Sequence, residues 1–322
     1  MFNITTIYDI AKKTGFSKST ISRVTSGNGY VSSEKRQIIL NAMQELNYTP
    51  NQVAKNLRNC KTQTIGFLSA DYFPLMGEFI NIFNSMAASY NYNTTVFFTK
   101  NAKNEQKILE SLANHLLDAA FILTRINEWD LINSYTQFAP IATWQRVKNT
   151  NIYSNYVDHY PIYFKILEKL YNKGFERVGH VFSLERNENT KARIQAIKDF
   201  SLQHQASDHS YQLFYGQQSH AGQDVAQKWL AQKNRPTAMI FYSDYVAAQF
   251  ISALRLNQVK VPEDCFVIGS DDSEIARLMN IPTVDFCFRS QAKNGFIYLY
   301  NQLNQKNLPF VPQVPKFIYQ KI

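Results

Sequence analysis

Hydrophobic and polar positions change their period partway along the chain. Over the first fifty residues, apolar side chains recur three and four positions apart. They are Ile7, Ile10 and Ala11 in TTIYDIAKKTG, Ile21 and Val24 in KSTISRVT, and Ile39, Ala42, Met43 and Leu46 in SEKRQIILNAMQELN. That spacing predicts three short helices, each with one buried face. Thr6, Ser17, and Ser32 or Ser33 stand where N-caps belong, because a short hydroxyl accepts from the free N–H groups of a first turn. Gly15, Gly27 and Gly29 break the pattern, and Pro50 is expected to stop the third helix. The next stretch, NQVAKNLRN, holds good helix formers with no neighbour to bury against, so a helix there is marginal in water by itself.

From Thr64 onward the texture is different. Short apolar runs (TIGFLSA, TTVFFT, AAFILT, PIATW, RVGHVF, YQLFY, TAMIFY, CFVIGSD and TVDFCF) alternate with helical patterns over 76–90, 104–117, 161–173, 190–204, 222–233, 245–257 and 290–304. Strands alternating with helices predict parallel sheets covered on both faces. The length of this part exceeds what one open sheet needs. Two lobes are therefore expected, with a boundary near 156–161 and the C-terminal part crossing back near 283–290. The domain plan is a helical head over 1–49, a hinge helix and linker over 50–61, and a two-lobed body over 62–322.

Composition narrows the function classes. The 322 residues are 45% hydrophobic and 18% charged, which suits packed cores and excludes a disordered polyelectrolyte. No eighteen-residue apolar run is present, so no membrane span is expected. MFNITTIYDI lacks a basic segment followed by an apolar one, so a secretory leader is not expected and the cytoplasm is. Cys60, Cys265 and Cys287 stand far apart, suggesting neither a disulfide framework nor a zinc site. Charge is uneven. Residues 1–61 carry nine Lys and Arg against three Asp and Glu, so +6 of the net +9 lies in the first fifth of the chain. That asymmetry points the head toward a polyanion.

Two helices joined by a tight, glycine-containing turn and backed by a third are the sequence form of a helix-turn-helix. The second helix of that motif enters the major groove, and its first-turn side chains reach base edges. Here those positions are Lys18 and Ser19, with Arg23 one turn on. Lys and Arg donate to the N7 and O6 acceptors of guanine. The hydroxyls of Ser17, Thr20 and Ser22, and those of Thr6 and Tyr8, are sized for phosphates, which position the module without reading sequence, and Ser32 is a further candidate for DNA contact.

The stretch TIYDIAKKTGFSKSTISRVTSGNGYVSSEKRQIILNAMQELNYTPNQVAKNLRNCKTQTIGF resembles the N-terminus of LacI/GalR-type bacterial transcription regulators. PTAMIFYSD, VPEDCFVIGSDD and KGFERVGHV resemble that family's effector-binding core. The resemblance implies an all-α helix-turn-helix head and an α/β, two-lobed body like a periplasmic sugar-binding protein, assembled as a homodimer. It implies that paired hinge helices enter the minor groove of double-stranded operator DNA. Leu57 would wedge between base steps, with Ala54 beside it, Asn51 near the backbone and Arg58 against phosphate or the groove edge. Thr25-Ser26 departs from the family's usual Leu-Asn after SRV, which weakens one expected contact.

For the body, the resemblance implies a small carbohydrate between the lobes. Arg193, in NTKARIQA, and Asp271, in IGSDDSE, match the arginine and acid that hold ligand hydroxyls. A guanidinium and a carboxylate each serve two hydroxyls at once. Ser243 and Asp244 stand where the family often has Asn-Asp. Gln145 stands where relatives have an acid, and Gln217 replaces an aromatic. Tyr72, Phe73 and Trp144, at predicted strand ends, are candidates to stack on a sugar ring. Asp272 is read as a cap of the following helix. TRINEWD, YSDYVAA and LMNIPTVDF look most like regulators of maltose or maltodextrin use.

No enzyme signature is present: no GxSxG, no GxxxxGK[ST], no HExxH. His204 and His209 are read as solvated loop residues, and neither metal nor cofactor is expected. The sequence thus predicts a DNA-binding regulator, a repressor released by sugar. Control by a partner protein or corepressor is the alternative, and a cytosolic sugar-processing enzyme the remote one.

Overall fold

A computed structural model describes residues 5–26, 29–49, 61–148, 150–185, 187–205, 207–216 and 219–318. Two compact units divide the chain, Met1–Thr62 and Gln63–Ile322.

The first unit contains α1 (Ile7–Thr14), α2 (Lys18–Ser26) and α3 (Ser33–Glu45). Ile10, Ile21, Val24, Ile39 and Ala42 form its core, with Ile7, Ala11, Phe16, Val31, Met43, Leu46 and Tyr48 packed around them. These are the residues at helical spacing, so the period and the buried face agree. Gly15 ends α1 at φ 71°, and its N–H reaches Ala11 O. The third helix ends before Pro50 is reached. Asn47 takes φ 46°, and the Tyr48 N–H turns back to Met43 O at 2.8 Å. The left-handed residue, which Asn tolerates, closes α3 rather than the missing N–H of a proline.

The second unit is an α/β body of two lobes. Lobe one holds β1 (Thr64–Ser69), α4 (Pro74–Ser89), β2 (Asn93–Phe98), α5 (Ala102–Ala113), β3 (Ala119–Ile122), α6 (Trp129–Ser134), β4 (Ile141–Thr143) and β5 (Tyr153–Ser154). Its strands are parallel in the order β2-β1-β3-β4-β5. Lobe two holds α7 (Tyr160–Asn172), β6 (Val178–Phe182), α8 (Glu188–Gln203), β7 (Gln212–Phe214), α9 (Ala221–Leu230), β8 (Ala238–Phe241), α10 (Asp244–Leu256), β9 (Phe266–Ile268) and α11 (Glu274–Met279). Its sheet, also parallel, runs β7-β6-β8-β9. Strands β1, β3, β6, β8 and β9 are buried on both faces, as their apolar runs require, while the edge strands β2 and β7 are partly exposed.

TVDFCF is not one strand. Only β10 (Thr283–Asp285) is extended, and it pairs antiparallel with β11 (Lys316–Ile318). Phe286 and Cys287 pack in the core of lobe two. Phe288 opens α12 (Phe288–Asn304) and packs in the core of lobe one. The chain therefore changes lobes between Cys287 and Phe288. It also does so after Asn155, whose side chain donates to Gln291 O at 2.6 Å. It returns a third time between α12 and β11. The short elements β5, α6, α11 and β11 span too few residues to show a period in the sequence.

In each lobe the strand after β1 or β6 lies on one side and the next lies on the other. The reversal opens a crevice at the carboxyl ends of those strands, where open α/β sheets place ligands. At the β1/β3 reversal, Ser69 Oγ and Thr124 Oγ1 meet at 2.8 Å.

Candidate functional site

In the head, the first turn of α2 carries the expected polar surface. Lys18 and Arg23 are exposed, while Ile21 and Val24 on the opposite side are buried. Lys18 Nζ lies 4.3 Å from the centre of the exposed Tyr8 ring, so α1 and α2 present a shared edge. Ser17 Oγ accepts from the Thr20 N–H and lies 2.8 and 2.9 Å from Ser19 Oγ and Thr20 Oγ1. The serine cap and the hydroxyl cluster are thus one feature. The Arg23 stem passes close to the Gly29 backbone: a β-carbon on Gly29 would lie 3.3 Å from Arg23 Cδ. Gly29, at φ 95°, gives the arginine stem room to lie flat.

Thr6 caps α1, but its hydroxyl is engaged. Its N–H and Oγ1 donate to Asp9 Oδ2 at 2.8 and 2.7 Å, and these bonds hold the Asp9 carboxyl below its usual range. Ser22 O accepts from both Thr25 and Ser26, so Ser26 bonds back into its own helix. Ser32 is the N-cap residue of α3, and its carbonyl accepts the Arg36 N–H. Asn51, Ala54, Leu57 and Arg58 lie outside the described residues, as does Gln217.

The lobe-one side of the cleft is aromatic. Trp144 stacks on Phe73 at 5.9 Å and meets Phe79 edge-on at 5.2 Å. Trp144 Nε1 and Gln145 Nε2 both donate to Leu123 O at 2.7 Å, which pins the indole and the amide together. Tyr72 is 63% exposed and joins no such stack among the described residues.

The lobe-two side is built around Arg193, which α8 holds only 5% exposed. Its Nε–H donates to His159 Nδ1 at 3.2 Å, which requires a histidine with its proton on Nε2. Burial, and then Arg193 itself, push the His159 pKa well down, so the ring stays neutral. His159 stacks on Phe286 at 3.7 Å, and the guanidinium carbon lies 5.0 Å from the same ring. Among the described residues Arg193 forms no ion pair. Asp271 lies within its electrostatic reach. Asp271 occupies φ 107°, unusual for a residue with a side chain, and its N–H is fixed by Val284 O at 2.8 Å. Burial and the neighbouring Asp244 raise its pKa. The Tyr242 hydroxyl, near the same carboxyl, is buried with no partner among the described residues.

Three expectations are corrected here. Asp244 does not face the cleft: it is fully buried, and its oxygens accept from the Ser273 N–H, Ser273 Oγ and Thr283 Oγ1 at 2.6–2.8 Å. It positions the loop that carries Asp271. Asp272 does not cap a helix, because Ser273 is the N-cap residue of α11 while Asp272 pairs with Arg289 at 2.8 Å. His209 is not solvated, since it accepts or shares a hydrogen bond with buried His180 at 3.0 Å. Ser243 is buried beside Asp244 as the N-cap residue of α10. His159, Phe286 and Tyr242 were missed. Each lies in a stretch that reads as boundary or strand, and nothing local marks its direction.

Among the described residues no group of His, Cys, Asp and Glu could hold a metal, and no helix is long and apolar enough to cross a membrane.

The model of bacterial regulatory proteins of the lacI family matches residues 6–51, and that of the periplasmic binding protein-like domain matches 167–289. The NTD biosynthesis operon regulator NtdR of Bacillus subtilis is 33% identical over 290 residues, 87% of either chain. Among solved structures, the lac repressor dimer bound to operator and an anti-inducer superposes with a TM-score of 0.84 at 20% identity, covering 99% of each chain. A LacI family regulator from Lactobacillus casei with bound sucrose gives 0.71 at 22% identity, over 80% of this chain and 98% of that one. With a basic helix-turn-helix head, a two-lobed α/β body and these relatives, the chain belongs to the LacI family and is a DNA-binding transcription regulator.

Proposed function

We propose that this regulator represses transcription as a homodimer on a pseudopalindromic operator and that a small carbohydrate between its lobes releases it. The observation that carries the ligand reading is Arg193. A buried guanidinium with no carboxylate in ion-pair range is costly unless something polar meets it. Asp271 lies within its electrostatic reach, and Phe73 and Trp144 stack at the strand ends of lobe one. Fork, acid and aromatic wall are the parts that recognise a polyhydroxylated ring. Lys18, Ser19 and Arg23 read bases, and Ser17, Thr20, Ser22, Ser32 and Tyr8 meet phosphates. Thr6 joins them by exchanging Asp9 for a phosphate oxygen. The family resemblance assigns Leu57 the minor-groove wedge, supported by Asn51, Ala54 and Arg58. As a regulator of chromosomal DNA it acts in the cytoplasm, and its role is binding rather than catalysis.

For a ligand to release DNA it must bind two body conformations unequally. The test pairs calorimetry on the full chain, against maltose, sucrose, cellobiose and glucose, with binding to a duplex selected from a random pool. Asp271→Asn should leave duplex affinity intact and remove the sugar response. A retained response would remove Asp271 from the site. Arg23→Ala should cost ~1–3 kcal/mol on the selected duplex and little on random DNA. Equal losses on both would make Arg23 a phosphate contact. Silence with every sugar would favour control by a partner protein.

A further inference from the structure

Arg289 is the second residue of α12, just past the point where the chain passes from lobe two to lobe one. Its side chain reaches both ways. Nη2 donates to Glu78 Oε1 at 2.7 Å, on α4 of lobe one. Nη1 donates to Asp272 Oδ2 at 2.8 Å, on the loop after β9 of lobe two, and Nη2 also reaches Asp272 O at 3.1 Å. Among the described ion pairs, Arg289–Asp272 is the one that spans the lobes. The lobe-two end is anchored by Arg277, whose Nη1 donates to Asp272 O at 2.6 Å.

We propose that Arg289 is a positioning residue that couples the state of the cleft to lobe one. Asp272 directly follows Asp271, and the two adopt left-handed angles in succession, φ 107° and 49°. The two share a peptide unit in a sparsely populated backbone region, so a backbone shift at Asp271 is carried to Asp272. A guanidinium engaged on two edges is a planar fork, and it responds to the angle between its acceptors as much as to their distance. Placed beside a crossover, it senses rotation of one lobe against the other. Glu78 then passes the change to α4. The link from ligand to fork rests on Asp271 being a ligand residue, as proposed above. The link between the lobes does not.

The experiment has two arms, both on the full chain. In the first, hydrogen exchange is followed without sugar. Asp272→Asn, in lobe two, should speed exchange by about ten-fold or more over residues 77–82 of α4. Glu78→Gln, in lobe one, should do the same over 270–276. Effects confined to the mutated lobe would overturn the proposal. In the second arm, affinity for the selected duplex is measured with and without maltose, sucrose, cellobiose and glucose. Where a sugar weakens the parent's binding by about ten-fold, Arg289→Gln should reduce that factor to about two. Its sugar affinity should stay within about three-fold, and Arg289→Lys, which keeps the charge without the fork, should recover part of the factor. An undiminished factor in Arg289→Gln would also overturn the proposal. If no sugar affects the parent but the exchange effects still cross the lobes, the ligand reading fails and the coupling stands.

Discussion

Arg193 is a buried cation, and if it holds a ligand as proposed, stability and function conflict in one residue. A buried cation with no ion pair among the described residues loses hydration and recovers the His159 bond, the faces of Phe286 and Tyr163 and a longer-range attraction to Asp271. Replacing such a group by an apolar one of similar length is commonly neutral or stabilising. Arg193→Met should therefore melt at the same temperature as the parent or higher while losing all calorimetric response to sugar. A clear fall in melting temperature would mean that the guanidinium is structural. The same residue shows how far sequence reaches at this scale. Its type and motif were legible, but its burial and its neutral histidine partner were not, because His159 lies 34 residues away.

Helix geometry sets a second contrast, between two glycines. At Gly15 a β-carbon would meet nothing within 4 Å, so only the left-handed backbone opposes a side chain. At Gly222, in the first turn of α9, the same carbon would lie 2.4 Å from Val246 O and 2.6 Å from Phe250 N of α10. Backbone atoms cannot swing aside, so the two helices must separate. Gly15→Ala should cost about 1 kcal/mol through the head. Gly222→Ala should cost about 1–3 kcal/mol through the body, although alanine is the better helix former. Urea unfolding checks both, and a Gly222→Ala protein as stable as the parent would show that α9 and α10 are not held at this distance. The helix boundaries themselves were readable because amphipathic period is local. The lobe change hidden inside TVDFCF was not, since an apolar run looks the same whichever core receives each residue.

Across the whole body, buried histidines tie stability to pH. Tyr163 Oη lies 2.7 Å from His180 Nδ1, and His180 Nε2 lies 3.0 Å from His209 Nδ1. Burial lowers the His180 pKa well below its ordinary value and brings that of His209 to about 4. Both are neutral when folded, whereas the unfolded chain takes up protons near 6.5. The unfolded state therefore binds more protons between pH 6.5 and 4, and stability falls as pH drops through that window. For His209 alone the loss is about 2 kcal/mol at pH 5. Melting temperatures from pH 7 to 5 should decline, and less steeply in His209→Gln. An identical slope would remove His209 as the cause.

By itself the sequence determined the kind of head, the alternation of strands and helices, and the concentration of positive charge. These follow from spacing and composition, which act over one or two turns of chain. Tertiary structure decided which acid is sealed among hydrogen-bond donors and which is left beside the buried Arg193. Asp244 and Asp271 read alike until Ser273 and Thr283, 29 and 39 residues beyond Asp244, take up the oxygens of the first. It also decided that Arg289 meets Glu78 across 211 residues. A buried polar group must find a partner wherever the fold brings one, and that distance in sequence leaves no local pattern to read.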